Sequence, residues 1–270
     1  MEINKFRAFE HAGWENVPEQ YDRAWGDLTS QTIPSLLDAV GAKGGVKLLD
    51  IATGPGYVAA AAARRGATVT AIDFSSAMIT QARKAYPEIE FREANAEELP
   101  FDDELFDAVI MNFGILHLAQ PERALAEACR VLRRDGRFAF TAWAKPDETV
   151  GFRIVLQSIE QLGNLKVPIP EGPPFFRFSE PAECERSLIA AGFKTADVTK
   201  VPQIWRLPAG DGLFEAMQQA TVRTAGLLRA QKPVALIEIR NAIREKTKPY
   251  QKGGFVELPM PAILARATKD

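Results

Sequence analysis

At 270 residues, with 46% apolar and 25% charged side chains, the chain is long enough to bury a full core and has an ordinary globular composition. Its 33 basic and 35 acidic residues leave a net charge of −2, which argues against nucleic acid or an anionic membrane as main partner, since both demand a concentrated basic surface. No run approaches the ~20 apolar residues of a membrane span, the N-terminal stretch lacks the apolar segment of a signal peptide, and Cys129 and Cys184 stand outside any CxxC, so a cytoplasmic protein with two buried thiols is expected.

Residues 1 to about 45 read as amphipathic helices rich in aromatics: Phe6, Phe9, Trp14, Tyr21 and Trp25. Thr32-Ile33-Pro34 resembles a cap with an early helical proline, and Gly41 a stop. From Val46 the pattern alternates. Val46–Ile51 is a short apolar strand, Pro55–Arg65 a helix ended by Gly66, and Thr68–Ile72 a second strand that runs into Asp73. Ser75 or Ser76 caps the next helix, which stops before Pro87. Ile89–Glu93 and Phe106–Met111 are strands three and four, Glu122–Arg133 a helix with Gly136 just beyond it, and Arg137–Ala142 a fifth strand. Short apolar strands that alternate with helices imply a parallel sheet covered on both faces.

After Trp143 the regularity changes. A helix is expected near 150–162, then a loop rich in proline around Phe175 and Phe176, then a helix over Pro181–Ala191. Thr195–Trp205 and Gly254–Ala267 read as two strands around a helical segment at 211–247, the last strand running antiparallel.

The segment Leu48–Ala59, LLDIATGPGYVA, is the most informative of the chain. A strand that ends in Asp50 and turns through Gly54 and Gly56 into a helix joins a carboxylate, approachable backbone and unpaired helix N–H groups at one point. Gly54–Ala59 also fits the GxGxxA of a dinucleotide site, with Asp73 near the spacing of a ribose acid. Asp50, placed before the glycines, would repel a pyrophosphate and attract an ammonium group.

Four stretches taken together, LLDIATGPG, AIDFSSAMI, ANAEELPF and ACRVLRRDGRFAF, resemble the class I S-adenosylmethionine-dependent methyltransferases, most of all the small-molecule group that includes the ubiquinone and menaquinone biosynthesis enzymes. They come in that family's order between about residues 46 and 142, and EPAECERSLIAAGF resembles its late helix. The resemblance implies an α/β fold of Rossmann-like methyltransferase type: a doubly wound, mostly parallel seven-stranded sheet with the last strand antiparallel, a helical N-terminal cover and an insertion after strand five. One domain over 1–270 is implied, with the cover at 1–45, the cofactor half at 46–145 and the substrate-side half at 146–270.

The same resemblance implies S-adenosylmethionine as cofactor, S-adenosylhomocysteine as product, and a set of binding residues. Ala52, Thr53, Gly54 and Gly56 would lie against the methionine part, Asp50 would act on its ammonium group, and Tyr21 would stand near its carboxylate. Asp73 would accept from the ribose hydroxyls. Phe74 and Met78 would pack on adenine, whose edge Asn95, the Ala96 N–H and neighbouring Glu97 would meet. Asn112 and Phe113 would line the sulfonium carbon. Ala52 and Asn95 depart from the glycine and the acid usual in that family. His117, just past the fourth strand, is the candidate general base, and no metal is implied. The expected reaction is methyl transfer to a small organic acceptor. A non-catalytic binding module, or an oxidoreductase that uses the GxGxxA turn, are the alternatives.

Overall fold

The computed structural model describes residues 2–270, which open with three helices, α1 (Glu2–Glu15), α2 (Pro18–Ser30) and α3 (Ile33–Ala39). The strand–helix alternation follows: β1 (Lys47–Ile51), α4 (Tyr57–Arg64), β2 (Thr68–Asp73), α5 (Ser76–Ala85), β3 (Glu90–Glu93), β4 (Phe106–Met111), α6 (Pro121–Val131) and β5 (Leu132–Trp143). Then come α7 (Val150–Leu162), α8 (Pro181–Ala190), β6 (Phe193–Val201), β7 (Ile204–Pro208), α9 (Gly212–Gln219), α10 (Arg223–Arg229), α11 (Pro233–Thr247), β8 (Gln251–Lys252), β9 (Phe255–Pro259) and β10 (Ala262–Lys269).

Seven strands form the main sheet in the order β3-β2-β1-β4-β5-β10-β6. β1 to β5 pair in parallel, and β10 runs antiparallel between β5 and β6. Leu48, Leu49 and Ile51 of β1 and Val109, Ile110 and Met111 of β4 are fully buried, as central strands sandwiched between helices must be. The strand order reverses between β1 and β4, so the loops beyond their carboxyl ends diverge and leave a crevice there.

Local signals set the helix ends. Ser75 caps α5, its hydroxyl accepting from the Met78 N–H at 3.2 Å. Gly56 precedes α4 with φ of 89°, and Gly66 ends that turn with φ of 87°. Helix α6 stops at Val131, short of the expected Arg133, because Leu132 already pairs with Phe106 at the head of β5.

Two expected strands are each broken in two. The stretch 195–205 becomes the end of β6 and the start of β7, parted at Pro202 and Gln203; the stretch 254–267 becomes β9 and most of β10, parted at Met260 and Pro261. Proline supplies no ladder N–H, and each chain leaves the main sheet at that break. The pieces β7, β9 and β8 form a separate three-stranded antiparallel sheet. The cover over the crevice is therefore built from three places: α1 and α2 at the front, α7 after β5, and the small sheet with α9 to α11 between β6 and β10. No helix among the described residues is long and apolar enough to cross a membrane.

Candidate active site

The loop that leaves β1 is braced from beneath. Asp50 is wholly buried; its Oδ2 accepts from the Thr53 hydroxyl at 2.7 Å, and its Oδ1 has no hydrogen-bond partner among the described residues. Burial pushes its pKa up to about 7, against the pull of Thr53. Ala52 and Gly54 both take left-handed backbone, with φ of 56° and 53°. The Thr53 N–H reaches the Ile72 carbonyl at 2.9 Å and the Gly54 N–H reaches Asp73 Oδ2 at 2.8 Å, so the loop is tied to the end of β2. A Cβ on Gly54 would meet nothing within 4 Å: its outer side is open.

Asp73 is the hinge of the site. Its Oδ1 accepts from the Ser75 N–H at 2.9 Å, and it remains 6% exposed, facing the crevice. Burial raises its pKa to about 6, opposed by the N–H groups of Ser75, Gly54 and Phe74 and by His117. Phe74 and Met78 continue the wall. Beyond β3, Asn95 folds back so that its Oδ1 accepts from the Glu97 N–H at 3.0 Å. Glu97 is buried, with Oε1 accepting from the N–H groups of Ala119 and Gln120 at 2.8 and 2.9 Å and Oε2 bonded to Arg7 of α1.

After β4, Asn112 turns its side chain away into a network: Oδ1 accepts from the Thr32 and Thr141 hydroxyls at 2.8 and 2.6 Å, and Nδ2 donates to the Thr29 carbonyl at 3.1 Å. Phe113 sits at φ of 55° and stacks on Trp143, centroids 4.1 Å apart. That turn needs a glycine next: a Cβ on Gly114 would fall 2.6 Å from Ala52 Cβ and 2.8 Å from Met111 Cγ. His117 closes the turn, with Nδ1 3.0 Å from Glu10 Oε2.

These elements line one cavity. Of the residues singled out by sequence, Tyr21, Ala52, Thr53, Gly54, Asp73, Phe74, Met78, Asn95, Ala96, Glu97, Asn112, Phe113 and His117 stand in its wall. Asp50 and Gly56 do not: Asp50 lies under the loop, and a Cβ on Gly56 would strike Phe91 at 2.9 Å, behind the wall. The far end of the cavity is aromatic, with Trp25, Trp143, Phe152 and Phe175 joined by edge, tilted and stacked contacts of 5.4 to 5.8 Å. Tyr21 lies against Trp14 at 5.4 Å, and burial pushes its phenol up to about 12, so it stays a donor at neutral pH.

Sequence reasoning passed over Arg7, Glu10 and Arg223. Glu10 carried a signal: Phe6, Glu10 and Trp14 recur at i, i+4, so the acid stands on the apolar stripe of its helix. Arg223 carried none, since its partner lies 213 positions away.

The sheet order, the antiparallel β10 and the acid-lined crevice at the β1/β4 reversal define the class: this is the class I, S-adenosylmethionine-type methyltransferase fold. Residues 49–140 match the methyltransferase domain family. The demethylmenaquinone methyltransferase of Clavibacter sepedonicus is 40% identical over 128 residues, 46% of this chain and 49% of that protein. The match thus spans about half the length of the curated relatives. Among solved structures, the phosphoethanolamine N-methyltransferase 2 of Haemonchus contortus, complexed with S-adenosylhomocysteine, aligns with a TM-score of 0.60 at 17% identity over 98% of this chain and 60% of that one. The [4+2]-cyclase SpnF aligns with 0.54 at 22% identity over 89% and 81%. At such identities these structures establish the shared fold.

Proposed function

We propose that the chain transfers the methyl group of S-adenosylmethionine to a small organic acceptor of flat, apolar or aromatic character. One observation carries this reading: a single cavity runs from the strand-end acid Asp73 and the Ala52–Gly54 backbone to a chamber walled by Trp25, Phe113, Trp143, Phe152 and Phe175. The residues present fit the cofactor. Gly54 leaves open space beside its backbone, and Asp73 offers a carboxylate that hydroxyls can approach.

Bound S-adenosylmethionine supplies an activated methyl group with a neutral thioether as leaving group. The protein's work is to bind, orient and exclude water. Asp73 accepts from the ribose hydroxyls, which its acceptor-only oxygens suit. Phe74 and Met78 flank adenine. Asn95 keeps one lone pair beyond the Glu97 contact for the adenine amino group, and the Ala96 N–H meets a ring nitrogen. The Tyr21 phenol donates toward the methionine carboxylate. Asn112 and Phe113 border the transferring carbon, where aromatic faces favour a cation. His117, at the junction of the two ends, takes the proton of an acceptor that loses one. The free thiols of Cys129 and Cys184 support a reducing compartment, the cytoplasm, as the place of action.

Calorimetric titration with S-adenosylmethionine, S-adenosylhomocysteine and NADH tests the reading. Both adenosyl ligands are expected to bind, and Asp73→Ala is expected to weaken both by at least about tenfold, the loss of one charge-assisted contact. Binding of NADH alone, or of none of the three, overturns it. A panel of phenols, quinols, amines and acids then identifies the acceptor.

A further inference from the structure

Cofactor binding leaves one buried charge cluster unexplained. Glu10 stands on α1, wholly inaccessible to solvent. Its Oε1 accepts from Arg223 Nε at 2.8 Å; its Oε2 accepts from Trp14 Nε1 at 3.1 Å and lies 3.0 Å from His117 Nδ1. Arg223 of α10 gives its other N–H groups to the carbonyls of Pro173 and Leu116 at 2.7 and 2.9 Å, and its guanidinium lies 4.4 Å from the centre of the Phe6 ring. Three segments far apart in sequence, α1, the turn at His117 and α10, thus meet on one carboxylate.

Charge balance asks for only one cation beside Glu10, and Arg223 is that cation. The contact to His117 is additional, and it has a chemical consequence. An ionised carboxylate only accepts, so Nδ1 of a neutral His117 must carry the proton and Nε2 the lone pair. Nε2 makes no hydrogen bond among the described residues, and the ring lines the cavity. Trp14 meets that ring edge-on at 4.8 Å and Phe175 at 6.1 Å, which restricts its rotation. A base held by an orienting carboxylate has this layout.

We propose that Glu10 is a positioning residue: it holds His117 as the Nδ1–H tautomer with Nε2 toward the acceptor, so that the base is assembled only when α1 is seated. The inference rests on the methyl-transfer reading above. In the step, the acceptor's X–H bond breaks as its bond to the methyl carbon forms. The carbon–sulfur pair stays on sulfur, and the proton goes to Nε2. Glu10 then faces an imidazolium, and water later takes the proton. The charged groups that face Glu10 are His117 and Arg223; Asp73 is the further acid that senses His117.

The test uses the whole chain with labelled nitrogen and long-range imidazole correlations. There are only two histidines, and His11→Gln assigns them. The wild type is expected to show neutral His117 as the Nδ1–H tautomer. In Glu10→Gln that preference is expected to fall to a mixture, kcat to fall by about tenfold or more with cofactor affinity within about twofold, and the acidic limb of the kcat profile to move. Glu10→Asp, which keeps the charge, is expected to restore part of the tautomer preference. A wild-type Nε2–H tautomer overturns the proposal, and so does a Glu10→Gln protein with unchanged tautomer and profile. Should Glu10→Gln fail to fold, the wild-type tautomer decides alone. Failure of the wild type to bind S-adenosylmethionine would sink the methyl-transfer reading instead, a result visible in calorimetry and separate from the spectrum.

Discussion

The floor of the site and its cover are held together by different physics. The floor is the sheet, where Leu48, Leu49, Val109, Ile110, Phe138 and Phe140 are fully buried and the strands pair in register. The cover is fastened over that floor by polar clasps, some buried and some exposed, as well as by aromatic packing. Arg7 bonds Glu97, Glu10 bonds His117 and Arg223, and Glu15 bonds Ser76; Gln203 donates to the Leu28 carbonyl, and Gln31 exchanges bonds with Ile204. Apolar burial is non-directional and indifferent to pH, whereas a buried ion pair fails as soon as one partner is lost. The cover should therefore loosen on loss of a single partner, where the floor should not.

The largest test of this contrast is in the floor. Phe140→Ala is expected to destabilise the whole fold by about 3–5 kcal/mol through transfer and cavity terms. Denaturant unfolding should lose midpoint without change of slope, and local loosening alone would contradict the contrast. Next comes the cover. Glu10→Ala strands Arg223, whose side chain is 14% exposed, and a loss of about 3 kcal/mol is expected. Hydrogen exchange should place that loss in α1 and α10 and leave β1 and β4 protected. Uniform deprotection would mean that the two regions are one cooperative unit.

Acidity should act with opposite sign on the two regions. Burial alone would raise the Glu10 carboxyl, but His117 and Arg223 hold it below its ordinary value of 4.5. A depressed folded pKa gives stability that is present above the unfolded value and lost as pH falls through the folded one, so α1 should loosen below about pH 4.5. Asp73 and Asp50 are raised to about 6 and about 7 by burial, so their contribution is full below the ordinary 3.8 and is lost as pH rises through those values. From pH 7 to pH 5 the ligand-free floor should therefore gain stability, while affinity for S-adenosylmethionine falls as Asp73 protonates, by up to about tenfold per unit. Thermal unfolding and calorimetry across pH 4–8 check both signs. The smallest effect is expected at Ala52, whose φ of 56° favours glycine. Ala52→Gly should raise stability by about 0.5–1 kcal/mol, read from the thermal midpoint.

Legibility in the sequence followed the range of the interactions. The strand that carries Asp50, the Gly54–Gly56 turn, Asp73 before the Ser75 cap and the Phe106–Met111 strand were readable, because each depends on neighbours a few positions away. The reading went wrong where an apolar run served two sheets. Residues 195–205 and 254–267 have a single strand's pattern, and only the paths of the chain around Pro202 and Pro261 divide them. Asp50 and Gly56 belong to the loop motif yet lie behind the cavity wall: motif spacing records that a loop is tight, not which of its atoms face outward.

The sequence by itself determined the alternation of strands and helices, the place of the glycine turn and the acid that ends β2, since hydrophobic period and turn chemistry are local. Tertiary structure alone decided which aromatics wall a cavity and which fill a core. It also decided that Glu10, on the first helix, meets Arg223 across 213 positions and His117 across 107. A buried charge is tolerable only beside its partner, and no local pattern says where the folded chain will bring that partner.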